Sequence, residues 1–118
     1  MAYPIVHVEF QVKDADKARQ WYTDIFGWET EKDEKLDYIT FTTGPNEIGG
    51  GFSASGMPAG AVPYVSTDDI PALLAKVEGR GGAVLQPEME IPGMGTLAIF
   101  TDPDGNTIGV INFPMPEG

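Results

Sequence analysis

The chain contains no cysteine among its 118 residues. That excludes a disulfide framework, a thiolate nucleophile and a sulfur-ligated metal, and it fits a cytoplasmic protein. Basic residues are scarce: seven Lys and Arg stand against eighteen Asp and Glu, a formal net charge of −11. Such a field repels polyanions, so nucleic acid and anionic membranes are poor partners and cationic ligands are favoured. An acidic surface kept for solubility explains the same count. No apolar run approaches the roughly 20 residues that span a bilayer. The opening Met1-Ala2-Tyr3-Pro4 lacks the basic and apolar segments of a secretion signal. Histidine occurs once, as His7.

What is present is enough apolar material for one core. Hydrophobic residues make up 42%, with six Phe, four Tyr and two Trp, which excludes a disordered chain. Residues 5–12, Ile-Val-His-Val-Glu-Phe-Gln-Val, alternate strictly. A strand of period two would lay Val6, Val8, Phe10 and Val12 on a core and present His7, Glu9 and Gln11 on the opposite face. Asp14 then reads as a helix cap, and Ala15, Ala18, Tyr22, Ile25 and Phe26 recur at spacings of three and four up to Gly27. Strands follow at Trp28 to about Lys32, Tyr38 to Thr43 and Glu47 to Ser53, with a charged turn at Asp33-Glu34-Lys35 between the first two.

The pattern then restarts. After residues 54–60, Ala61 to Thr67 reads as a strand, and Asp68-Asp69-Ile70-Pro71 opens a helix with Ile70, Leu73, Leu74 and Val77 on its buried stripe and Gly81-Gly82 at its end. Strands are expected at Ala83 to about Gln86, Thr96 to Thr101 and Thr107 to Phe113. Asp102-Pro103-Asp104-Gly105-Asn106 forms the tight turn between the last two. At an offset of 55, Asp14 falls on Asp69 and Gly27 on Gly82; at 60, Asn46-Glu47-Ile48-Gly49 falls on Asn106-Thr107-Ile108-Gly109. The chain is one domain, 1–118, built of two βαβββ units: module one at 1–53, a linker at 54–60 and module two at 61–118.

The opening strand with His7, the segment Tyr22-Thr23-Asp24-Ile25-Phe26-Gly27-Trp28, the second start Val65-Ser66-Thr67-Asp68-Asp69-Ile70 and the closing Asp102-Pro103-Asp104-Gly105-Asn106 together resemble the vicinal oxygen chelate superfamily. That group includes glyoxalase I, bleomycin resistance proteins and extradiol dioxygenases. The chain looks most like its uncharacterised branch related to lactoylglutathione lyase. The resemblance implies an α+β fold in which the tandem βαβββ modules form a curved, U-shaped mixed sheet with helices on the outer face. It also implies a homodimer and a cavity that holds metal and substrate. The four ligand positions of metal-dependent members fall on His7, Gly49, Val62 and Gly109, and three of these carry no donor side chain. A divalent cofactor is therefore not expected.

The residues read as lining the ligand site are His7, Glu9, Gln11, Phe52, Val62 and Tyr64, with His7 and Glu9 as the catalytic candidates. His7 reads equally as a polar residue on a wetted face or as a general base beside Glu9. Trp28, Tyr38 and Phe52 read as core or cavity wall. Residues 88–95 read as a flap or an ordinary surface loop. Two functions stand side by side: a metal-free protein that sequesters or carries a small organic ligand, cationic or aromatic, and a lyase or isomerase acting next to a carbonyl, with His7 as ligand or base.

Overall fold

The computed structural model describes residues 2–34 and 38–113. The charged turn expected at 33–35 ends outside the described residues. Ten elements follow one another: β1 (Ile5–Gln11), α1 (Ala15–Phe26), β2 (Glu29–Asp33), β3 (Tyr38–Thr42), β4 (Gly49–Ser53), β5 (Gly60–Ser66), α2 (Ile70–Gly79), β6 (Ala83–Ile91), β7 (Gly95–Thr101) and β8 (Thr107–Asn112). They are the two βαβββ units read from the sequence repeat. No helix among the described residues is long and apolar enough to cross a membrane.

Within each module the four strands pair by the same rule. In module one the strand order is β2-β3-β4-β1, with β1 parallel to β4 and the other neighbours antiparallel. In module two the order is β5-β8-β7-β6, with β5 parallel to β8. The first strand of each module thus returns beside its last, which requires the crossover helix between them.

Both helices start as the repeated aspartates predict. Asp14 accepts from Lys17 N at 3.1 Å, and Asp69 accepts from Ala72 N at 3.0 Å. The ends differ. Gly27 closes α1 in the left-handed region at φ 73°, its N–H bonded to Thr23 O at 2.9 Å. In module two the left-handed glycine is Gly81, one residue before the repeat places it.

Each helix covers one face of its sheet. Under α1 lie Ile39, Phe41 and Phe52, with Phe10, Val12, Ala15, Ala18, Tyr22 and Trp28 packed around them. Ile70 and Leu73 of α2 are buried against Ala98, Phe100 and Val110, with Leu74 and Val77 of the same helix and Val65 and Ile108 packed around them. The stripe of α1 is shorter than its periodicity predicts, because Ile25 and Phe26 in the last turn remain 57% and 55% exposed.

Strand β6 runs on to Ile91, so residues 88–91 are strand rather than flap or loop. Pro87 hides this in the sequence because it cannot donate to a ladder. Here it lies within the register shift between Gln86 and Met89, on an edge strand, where proline is tolerated. The turn at Asp102 is held by its own carboxylate. Oδ1 accepts from Asp104 N and Asn106 N, each at 2.9 Å, and Oδ2 accepts from Asn106 Nδ2 at 2.8 Å. The Asn106 side-chain bond, followed by its backbone bond, holds this carboxyl below its usual value. A hairpin turn, not a cation loop, accounts for the motif.

By packing, the chain divides at Val62/Pro63, with residues up to Ile5 grouped with module two. Ser66 N donates to Pro4 O at 3.0 Å, and Lys76 Nζ reaches Tyr3 Oη at 3.2 Å. These bonds tie the residues before the alternating strand to the second unit.

Phe52 is fully buried while Phe26 is more than half exposed. Phe52→Ala should therefore cost about 3–5 kcal/mol, and Phe26→Ala only about 1 kcal/mol, from its ring contacts with Tyr22 and Trp28. Urea denaturation of the two variants measures the contrast; equal losses would contradict the placement of the core.

Candidate functional site

The polar face of module one follows from strand parity. His7 stands opposite Gly49, Glu9 opposite Gly51 and Gln11 opposite Ser53, so these six positions share one face. On the next strand Thr40 stands opposite Gly51, which puts Tyr38, two residues earlier, on that face as well. Phe10, Phe52, Ile39 and Phe41 take the other face, beneath α1. The alternation of β1 thus sets the polar row opposite Phe10 and the core as expected, but Val6 remains 39% exposed and neither Val6 nor Val8 joins the core cluster.

The row is joined end to end. His7 Nε2 lies 3.0 Å from Tyr38 Oη, and Tyr38 Oη donates to Glu9 Oε2 at 2.9 Å. Gln11 Nε2 donates to the other oxygen, Glu9 Oε1, at 2.7 Å. Ser55 Oγ donates in turn to Gln11 Oε1 at 2.9 Å. Gln11 is only 6% exposed, and both ends of its amide are bonded, as a buried polar group requires.

Glycine makes this possible. Tyr38 belongs to β3 and Glu9 to β1, with β4 between them. A Cβ on Gly51 would fall on the Tyr38 ring and hydroxyl, so the bare backbone at that position is what lets the phenol cross β4. Burial pushes the His7 imidazole below its ordinary value of 6.5, and the nearby Glu9 carboxylate opposes that shift without overcoming it.

Not every predicted residue joins the row. Phe52 is a correction: it is fully buried on the core face, with its ring 5.2 Å from that of Tyr22 and 5.1 Å from that of Phe41. Its position opposite Phe10, one residue from Gly51, gives it the wrong parity for the site. Val62 and Tyr64 are each 5% exposed. Gly109 stands opposite Tyr64, not Val62, and the Tyr64 ring occupies the space a Cβ at Gly109 would need. Tyr38, which the sequence reads as core or cavity wall, and Ser55, which it does not single out, both belong to the row. The signal for Tyr38 is a glycine opposite Glu9 together with a tyrosine of matching parity on the next strand.

A divalent ion does not fit these residues. Among the described residues no group of three or more His, Asp or Glu side chains could hold one. Both Glu9 oxygens accept from uncharged donors, and Gly49 and Gly109 offer no side chain at all. Three of the basic groups have partners away from the row: Arg19 and Lys32 approach Asp16, and Lys76 approaches Tyr3. A cleft of about 500 Å³ also opens on module one between Phe26, Trp28, Glu29, Thr42 and Pro45, and none of the predicted site residues lines it.

Residues 4–110 match the Glyoxalase/Bleomycin resistance protein/Dioxygenase superfamily. The chain is 30% identical over 124 residues to an anthracycline biosynthesis protein, DnrV, of Streptomyces peucetius, covering 89% of this chain and 45% of that protein. It is 28% identical over 136 residues to lactoylglutathione lyase GLX1 of Arabidopsis thaliana, covering 95% of this chain and again 45% of the relative. The chain therefore spans less than half the length of these relatives. Among solved structures, a superfamily member from Vibrio splendidus shares the fold at a TM-score of 0.67 and 14% identity, over 96% of this chain and all of that one. With two βαβββ modules in order and the match running almost from end to end, the chain belongs to the Glyoxalase/Bleomycin resistance protein/Dioxygenase superfamily.

Proposed function

We propose that this chain binds a small organic molecule on the polar face of module one, without a divalent metal at that face. The observation that carries the reading is the bonded row His7, Tyr38, Glu9, Gln11 and Ser55. Few polar groups in fixed orientations beside apolar surface are what a small-ligand site needs. The row holds one carboxylate, and Glu31, opposite Thr40 on the same face, adds a second. With a net charge of −11, that favours a cationic or aromatic ligand over an anionic one. The likeness to an anthracycline biosynthesis protein supports an organic ligand with aromatic character. A homodimer in the cytoplasm is part of the same reading; it is supported by the family resemblance and by the lack of cysteine.

A second reading is favoured by one observation. A neutral imidazole bonded to a tyrosine hydroxyl suits proton transfer beside a carbonyl, and the chain is similar to a lactoylglutathione lyase. In that case His7 is the base.

A thermal-shift screen of cationic and aromatic small molecules tests the first reading. A true ligand at 100 times its Kd adds about 2.7 kcal/mol of stability and raises the Tm by several degrees. Tyr38→Phe should weaken that ligand roughly two- to tenfold, the cost of about one hydrogen bond. A ligand whose affinity ignores Tyr38→Phe binds elsewhere. Turnover of methylglyoxal with glutathione, abolished in His7→Ala, would instead select the second reading.

The pH dependence of stability follows from His7. Its folded value lies below the unfolded 6.5, so the unfolded chain binds the extra proton first as pH falls. The His7 contribution is complete above about pH 6.5 and is lost as pH drops from there through the folded value. Urea midpoints from pH 7.5 down to 5 should fall more steeply for the wild type than for His7→Asn. Parallel profiles would contradict a buried, neutral His7.

A further inference from the structure

Tyr38 touches both ionisable groups of the row, and its hydroxyl has a single proton. A carboxylate only accepts, so that proton lies on the bond to Glu9 Oε2. The remaining contact, 3.0 Å between Tyr38 Oη and His7 Nε2, then has one possible donor, the imidazole N–H. The rest of the row runs with the same polarity. Ser55 donates to Gln11 and Gln11 donates to Glu9, so every hydrogen points toward the one carboxylate.

We propose that Tyr38 is a positioning residue that locks His7 as the Nε2–H tautomer, and that Gly51 is the gap through which it does so. The opposite tautomer would set a bare Nε2 against a tyrosine oxygen whose only proton is engaged, leaving two acceptors face to face. What His7 holds at Nδ1 is then a lone pair rather than a proton. For the proposed function, on which only this consequence rests, a molecule that reaches Nδ1 of His7 meets an acceptor or base, which selects ligands that carry an N–H, O–H or acidic C–H. Burial favours the neutral ring, the only form in which a tautomer can be fixed. A Cβ at position 51 would displace the phenol and release the lock.

Because His7 is the only histidine, uniformly 15N-labelled protein gives one set of imidazole signals. Long-range 1H–15N correlation near neutral pH reads the tautomer without any ligand, so the outcome is separate from whether the chain binds an organic molecule. The wild type should show Nε2 with the shift of a protonated ring nitrogen and Nδ1 with that of a bare one. In Tyr38→Phe, checked for an unchanged backbone spectrum, the two shifts should converge as both tautomers become populated. A purely structural Tyr38 would lower stability and leave the ring shifts where they are. Gly51→Ala should reproduce the convergence if it folds, and Tyr38→Phe decides the matter if it does not. A wild-type ring protonated at Nδ1, or ring shifts unchanged in Tyr38→Phe, overturns the proposal. Wild-type shifts in a folded Gly51→Ala would overturn the role given to the gap.

Discussion

The hydroxyl of Tyr38 sits where a side chain at position 51 would be, and the polar face of module one is arranged around that exchange. Adjacent strands lie about 4.8 Å apart, so β3 and β1 are separated by roughly 9.6 Å with β4 between them. A phenol spans that distance only if the intervening strand offers no obstacle. Gly51 removes the obstacle opposite Glu9, and the tyrosine then reaches Glu9 and His7 together. Glycine weakens a strand in entropy and in packing. Here the loss is offset on the other face, where Phe52 of the same strand is buried among Phe10, Tyr22 and Phe41.

Module two solves the matching problem differently. Its glycine at 109 is also covered by a tyrosine, but Tyr64 comes from the neighbouring first strand and needs to cross nothing. The two modules therefore share a backbone plan and differ in where the phenol originates. Of the ligand positions that the family resemblance implies, Gly49 and Gly109 carry no side chain, and at Gly109 the space is taken by the Tyr64 ring. An organic ligand held by directional hydrogen bonds suits such a surface; an ion that needs three or four donors does not.

Local signals were legible in the sequence because each reports a local cause. The alternation of β1 separated His7, Glu9 and Gln11 from the core side; Asp14 and Asp69 marked both helix starts; Asp102 to Asn106 marked the turn. What escaped depends on pairing between distant segments. Phe52 reads as a ligand-site residue in the sequence because aromaticity says nothing about parity, and the register with Phe10 decides it. Tyr38 reads only as core or wall in the sequence because its partners are 29 and 31 residues away. The extension of β6 beyond Pro87 was hidden by a residue that breaks central strands but is accommodated at an edge bulge. Gly109 was aligned with Gly49 by the repeat, yet its register partner is Tyr64 rather than Val62.

The central proposal is that the polar row of module one holds no divalent ion, with Glu9 bonded by Tyr38 and Gln11 and His7 bonded by Tyr38. Calorimetric titration of nickel and of zinc into chelator-treated protein tests this most directly. The account predicts no stoichiometric binding of either ion and titration curves indistinguishable from those of His7→Ala. A one-to-one site present in the wild type and lost in His7→Ala would contradict it.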